Sequence, residues 1–329
     1  MNNIGKIILS TLVVCQIGAF GCRPVEKNDA SKTDNRPVVY ASFYPLYDFT
    51  QKIGGDKIQV FSLIKPGIKA HDWDPAPRDL AELSKANLLI CNGMGMEPWL
   101  HNAVEAVGNP NLAVVEAGKG IAPLAGGCGH ECSHHASHAG ESCGHAEELT
   151  SDPHIWLSPI NVKIILKNIA EALCAQDPAN KEYYQNNLKK WIAECDELDA
   201  KFHRTLDLAE QKNIVVSHQA FGYLCKEYGL NQIAVEGLTA QADPSMSRMA
   251  EIVKEITNLK IRVVFVESSS DSRISDVLAQ ETGVKTDVLN PYETLYEQQI
   301  EAGDDYFSIM NQNLKALQRA LIPPTPAAL

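Results

Sequence analysis

At 329 residues, with 45% apolar and 21% charged side chains, the chain can bury two modest cores; a two-lobed globular protein is the default and one large α/β domain the alternative. A formal net charge of −12 argues against nucleic acid or an anionic membrane surface as partner, because both would repel an acidic protein. The same charge is compatible with gathering cations.

In chain order, Lys6, an apolar run from Ile7 to Val14 that extends through Ile17, and small residues Ala19 and Gly21 before Cys22 read as an export signal over residues 1–21. The run is too short to span a bilayer securely. Ala19-Phe20-Gly21-Cys22 resembles a bacterial lipobox, with Ala19 where that pattern usually has Leu. On this resemblance Cys22 is lipidated and anchors the chain to a membrane; an ordinary cleaved signal is the alternative. Residues 22–36 are polar and aperiodic, as expected of a flexible tether.

From residue 37, β-branched runs alternate with amphipathic stretches. Val38 to Tyr40, Ile58 to Phe61, Leu88 to Ile90 and Ala113 to Val115 predict strands; Leu46 to Ile53, Pro77 to Ala86 and Pro98 to Val107 predict helices. This alternation implies a mostly parallel sheet covered by helices, in a first lobe over residues 37–178. Within that lobe, residues 126–146 hold Cys128, His130, Cys132, His134, His135, His138, Cys143 and His145 among Gly, Ser and Ala. No core-forming period separates them, so the segment reads as a surface loop that collects or senses zinc, or else as a biased linker.

Pro159 to Ala175 and Asn180 to Ala209 are helical in composition. The second stretch, placed at 179–210, predicts either one rigid rod joining two lobes or two shorter helices packed on one of them. The strand and helix grammar returns over 211–329. Strands are expected at Ile214 to Ser217, Gln232 to Val235, Ile261 to Val266 and Lys285 to Leu289. Helices are expected at Gln219 to Tyr228, Pro244 to Asn258, Ile274 to Thr282 and Asp304 to Leu321. Of the nine cysteines, Cys91, Cys174, Cys195 and Cys225 fall in apolar or helical contexts and read as core thiols, with a single bridge left open.

Three histidines outside the insert lie at strand ends or in loops flanked by turn residues: His71 in PGIKAHDWDPAP, His154 in SDPHIWLSP and His218 in VVSHQAFGYL. Ligands of open α/β sheets sit beyond the carboxyl ends of strands, and two facing lobes make a cleft there. Glu267, after the run Ile261 to Val266, points to the same cleft as a neighbour of the site. His101 and His203 have helical contexts and read as surface residues.

At these motifs the chain resembles the ZnuA-like zinc-binding branch of the cluster A-I solute-binding proteins of ABC importers, from about Pro37 to Leu321. PG-x-x-x-H-x-x-x-P-x-P gives the first metal histidine as His71. DPH-x-W-L-x-P gives the second as His154, and a strand followed by H-x-x-F/W-x-Y gives the third as His218, with Phe221 and Tyr223. The family's acidic fourth ligand falls in DVLNPYETL, where Glu293 is assigned and Asn290 or water are the alternatives. The resemblance implies two α/β lobes joined by a long rigid helix, a metal site in the cleft, Zn²⁺ as cargo, no enzymatic activity, and delivery to a permease and its ATPase. It also implies an exported, monomeric, membrane-anchored protein, periplasmic or at the cell surface. Manganese-binding relatives carry Glu at the third position, so His218 favours zinc.

The chemistry agrees. Three neutral imidazoles with one carboxylate or water suit tetrahedral Zn²⁺, whereas Mn²⁺ prefers more oxygen. Asp152, Asp72 and Asp74 are candidate acceptors behind the imidazoles, or turn and cap residues. The rival readings are a manganese or other divalent-metal adhesin and, with three histidines and a water, a zinc hydrolase.

Overall fold

The computed structural model describes residues 34–125, 151–239, 244–268 and 273–323. The export signal, Cys22 with nearly all of the tether, and the eight His and Cys residues of the insert lie outside the described residues.

In the first half, β1 (Val38–Ala41), β2 (Gln59–Ser62), β3 (Leu88–Cys91) and β4 (Ala113–Glu116) form a wholly parallel sheet in the order β2-β1-β3-β4. Helices α1 (Tyr44–Gly54), α2 (Pro77–Leu83) and α3 (Leu100–Val107) connect them. The central strand β3 is buried along its whole length, which is why its sequence is an unbroken apolar run rather than an alternating one.

The second half repeats this plan. β5 (Asn213–His218), β6 (Asn231–Glu236), β7 (Val263–Val266) and β8 (Lys285–Val288) run parallel in the order β6-β5-β7-β8. In each half the chain moves to one side of the first strand and then crosses to the other. A crevice therefore opens at the carboxyl ends of the first and third strands.

Between the halves run α4 (Pro159–Gln176) and α5 (Lys181–Leu206). The expected rod is a single helix of 26 residues, about 39 Å long at 1.5 Å per residue. It ends three residues before the predicted Ala209. α5 packs against α4 and α1 on one side, and against α6 (Gly222–Tyr228) and α10 (Tyr306–Leu321) on the other. One continuous apolar cluster unites Val39 and Leu46 of the first half, Phe202 of α5, and Val216, Phe265 and Leu317 of the second.

Helices α7 (Met246–Asn258) and α8 (Arg273–Thr282) fall where the sequence places them. α9 (Glu297–Glu301) was not foreseen, since five residues hold too little of a helical period to read. His218 was expected just past its strand; it is instead the last residue of β5, in register with Glu236. The four cysteines of the described residues are free. Cys91, Cys195 and Cys225 are core thiols, but Cys174 is only half-buried, with its thiol turned to the Lys181 carbonyl.

Candidate metal centre

Each of the four predicted ligands is placed by local chemistry. His71 lies in a 3-10 turn, Ala70–Asp72, in the loop between β2 and α2. His154 precedes the turn Ile155–Leu157 that leads into α4, and its ring is fully buried. Its approach is fixed from β3, because the Asn92 side-chain amide donates to the Pro153 carbonyl at 2.9 Å. From the other half, the Trp156 indole N–H donates to the Pro291 carbonyl at 2.8 Å, tying the DPHIWL segment to the LNPYE segment.

Glu293 follows β8 in that second segment. Asn290, the alternative ligand, turns its side-chain oxygen to the Tyr292 amide at 2.7 Å, while the Asn313 side-chain oxygen accepts from the Asn290 amide at 2.8 Å. Asn290 thus shapes the turn and Glu293 projects into the cleft. Tyr292 takes a left-handed backbone, φ 56°, which costs a bulky residue energy and needs an outside anchor. The anchor is Asp48 of α1, whose carboxylate accepts from the Tyr292 hydroxyl at 2.9 Å and from the Tyr306 amide at 3.3 Å.

The donor atoms converge. His154 Nε2 lies 3.3 Å from His71 Nε2, 3.3 Å from His218 Nε2 and 3.2 Å from Glu293 Oε1. Glu293 Oε1 is also 3.3 Å from His218 Nε2 and 3.9 Å from His71 Nε2. Donors about 2.0–2.1 Å from a tetrahedral zinc lie about 3.3–3.4 Å from one another. His154 Nε2 cannot satisfy the nitrogens of two other rings and a carboxylate oxygen at once by hydrogen bonds, so the cluster, with His71, His154 and Glu293 as its tightest group, fits a cation.

The far side of two rings is fixed by carboxylates. Asp152 Oδ1 accepts from both the Nδ1 (2.8 Å) and the backbone amide (2.9 Å) of His154. Glu267 Oε1 bonds the Nδ1 of His218. Each partner leaves Nε2 to face the cluster, the arrangement that orients metal-bound histidines. Gly222 makes room for Asp152: a Cβ there would lie 2.4 Å from Asp152 Oδ2. Asp72 sits beside His71, and its charge favours protonation of that ring.

The electrostatics of the metal-free site are uneven. Burial drives the His71 imidazole down to about 4, keeping it neutral. Burial opposes charge on His218 as well, but Glu267 and Glu293 override it and push that ring up to about 10. His154 is also raised, burial being outweighed by Asp152 and Glu293. Glu293 is held well below the usual carboxylate range: burial works against its charge, and hydrogen bonds from His154 and His218 prevail.

Asp199, His203 and Glu227 form another grouping on the outer faces of α5 and α6. It is only partly buried, with the His203 side chain 45% exposed, and Asp199 already accepts from the Tyr228 hydroxyl at 3.0 Å. His101 is exposed beside Glu105, as expected. The motif residue Tyr223 turns out to hold the base of the insert. Its hydroxyl accepts from the Leu124 amide at 3.1 Å, Asp152 N donates to the Leu124 carbonyl, and Ala125 bridges to Ser151. Asn92, Asp48 and Gly222 are not legible as site-shaping residues, because the partners that give them this role lie far away in the sequence.

Two repeated α/β halves, with a buried nitrogen-rich donor cluster among the described residues between them, have the architecture of a two-lobed metal-binding protein. The family described as "Zinc-uptake complex component A periplasmic" matches residues 39–320. The chain belongs to that family. It is 38% identical over 306 residues to the high-affinity zinc uptake system protein ZnuA of Bacillus subtilis, covering 93% of this chain and 94% of that one. It is 33% identical over 322 residues to the zinc-binding lipoprotein AdcA of Streptococcus pneumoniae, but covers only 62% of that longer protein. The crystal structure of the Zn(II)-bound ZnuA-like domain of AdcA superposes with a TM-score of 0.74 at 31% identity, over 87% of this chain and 99% of the domain.

Proposed function

We propose that the chain captures Zn²⁺ outside the cytoplasmic membrane and delivers it to the permease of an ABC importer. The carrying observation is that His154 Nε2 and Glu293 Oε1 lie 3.2 Å apart and each 3.3 Å from His218 Nε2, with His71 Nε2 3.3 Å from His154 and 3.9 Å from Glu293, close to the spacing of donors around zinc. His71 and His154 come from the first lobe, 37–178, and His218 and Glu293 from the second, 211–329, so zinc closes the cleft. The names of the relatives point the same way. A carboxylate in the fourth position leaves no open site for an activated water, which speaks against a hydrolase. Three imidazoles speak against manganese. Lipidation of Cys22, a monomeric state, and the permease with its ATPase as partners complete the reading. Because α5 packs on both halves, release proceeds by displacement of loops rather than by a wide swing of the lobes.

The test is metal analysis and titration calorimetry of the purified chain, with growth of a deletion strain under zinc chelation. One tightly bound zinc per chain and a growth defect rescued by zinc are expected. Normal growth of the deletion strain would favour the adhesin.

Zinc binding should also release protons. Between pH 7 and 8 the metal-free His218 holds a proton, because its pKa is pushed up to about 10, whereas His71, near 4, has none to lose. At least about one proton per zinc should leave, and affinity should rise about tenfold per pH unit across this range. Calorimetry in buffers of different ionisation enthalpy measures it; a heat independent of buffer would refute the assignment.

A further inference from the structure

Beyond the ligands, the cleft contains a carboxylate shared by the two halves. Glu267, immediately past β7, uses Oε1 for His218 Nδ1 and Oε2 for Lys69 Nζ at 3.1 Å. Lys69 stands two residues before His71, in the opposite lobe. The same loop is stitched a second time, where Gly67 N donates to Thr294 Oγ1 at 2.8 Å, one residue past Glu293.

The location gives these contacts a role. A cavity of about 710 Å³, lined by Pro66, Asn290, Tyr296 and Glu297, reaches Glu267 from solvent. A second, narrow space of about 30 Å³ shares Glu267 and Asn290 with it and continues to Lys69 and Glu293. The Lys69–Glu267 pair therefore stands where the solvent-filled groove meets the donor cluster.

Resting on the zinc reading above, we propose that Glu267 is a positioning residue for metal capture: it fixes the ring of His218 and, through Lys69, latches the loop that carries His71 across the cleft. One carboxylate then couples the geometry of a ligand in one lobe to the closure of a ligand-bearing loop in the other. Glu267 does not touch the ion; it acts through His218 and Lys69.

The experiment compares wild type, E267A, E267Q and K69M as full chains, using Zn²⁺ for affinity, Co²⁺ for NMR and amide exchange for the loop. E267A should weaken zinc about 10- to 100-fold, the usual cost of removing a partner behind a ligand. In the Co²⁺-loaded protein, the protected Nδ1–H signal of His218 should vanish while that of His154, backed by Asp152, persists. E267Q, whose amide oxygen still accepts from Nδ1–H, should keep the signal and fall between wild type and E267A. K69M should speed exchange of the Gly67 amide in the zinc-bound protein by about 1.5- to 5-fold, the weight of a half-exposed ion pair. Removing a positive charge near the ion would by itself strengthen zinc binding, so faster exchange reads the latch alone.

An E267A protein that keeps wild-type affinity and both Nδ1–H signals overturns the positioning role. Unchanged Gly67 exchange in K69M overturns the latch. Wild-type protein that fails to bind zinc overturns the functional reading itself, and this inference with it.

Discussion

His154→Ala should raise the dissociation constant for zinc by more than about 100-fold, beyond the 10- to 100-fold lost when only a supporting partner is removed. His154 is the hub of the cluster, with its Nε2 within 3.3 Å of donors on His71, His218 and Glu293. Its loss removes a ligand and leaves Asp152 and Glu293, both buried, facing a void. Competition with a chelator of known affinity measures the change. His203→Ala, altering an exposed helix residue, should leave zinc binding unaffected. A His154→Ala protein within tenfold of wild type would rule out the proposed centre.

Lys52→Met should destabilise the fold by about 3–5 kcal/mol, the cost of removing one partner from a buried ion pair. Lys52 pairs with Asp48 and, at 2.9 Å, with Asp305; the side chains of Lys52 and Asp48 are only 9% and 11% exposed. Burial already raises the Asp48 carboxyl, against the opposing pull of Lys52. Without Lys52, folding must either bury an uncompensated charge or protonate Asp48. The deficit should therefore be largest at neutral pH and shrink as pH falls through the raised folded-state pKa of Asp48 in the variant and then in the wild type, both above the ordinary carboxylate value, because the unfolded chains titrate alike. Chemical denaturation at pH 7 and pH 4 tests both size and sign; a deficit equal at the two values would contradict it. Asp48 anchors Tyr292 beside Glu293, so the same variant should also loosen zinc.

Much of this organisation is legible in the sequence, for identifiable reasons. Parallel strands such as Leu88–Cys91 are buried on both faces and appear as continuous apolar runs, and the helices between them show their amphipathic period. His71, His154 and His218 stand out together: any one alone reads as an ordinary hydrogen-bonded residue, but three in motifs matching the family's ligand motifs, in loops facing one cleft, read as a metal site. What the sequence does not reveal depends on contacts between distant residues. Asp48 and Tyr292 are 244 residues apart, and Trp156 reaches Pro291 across 135. Gly222 reads as an ordinary helix start until Asp152 is found against it. Glu267 is recognisable as a neighbour of the site, yet its two-sided role requires knowing that Lys69 lies opposite.

The unbroken apolar cluster running from Val39 through Phe202 to Leu317 bears on how the molecule comes apart. Both halves draw on it through α5, so loss of order in one strips apolar cover from the other, although each also keeps a smaller cluster of its own. The chain should melt in one cooperative transition, and occupancy of a single site should add its binding free energy to the resistance of every segment at once, including helices as remote as α7. Cargo then acts as a global fastener, and a shortened version beginning at residue 211 would expose the apolar faces that α5 and the first sheet now cover.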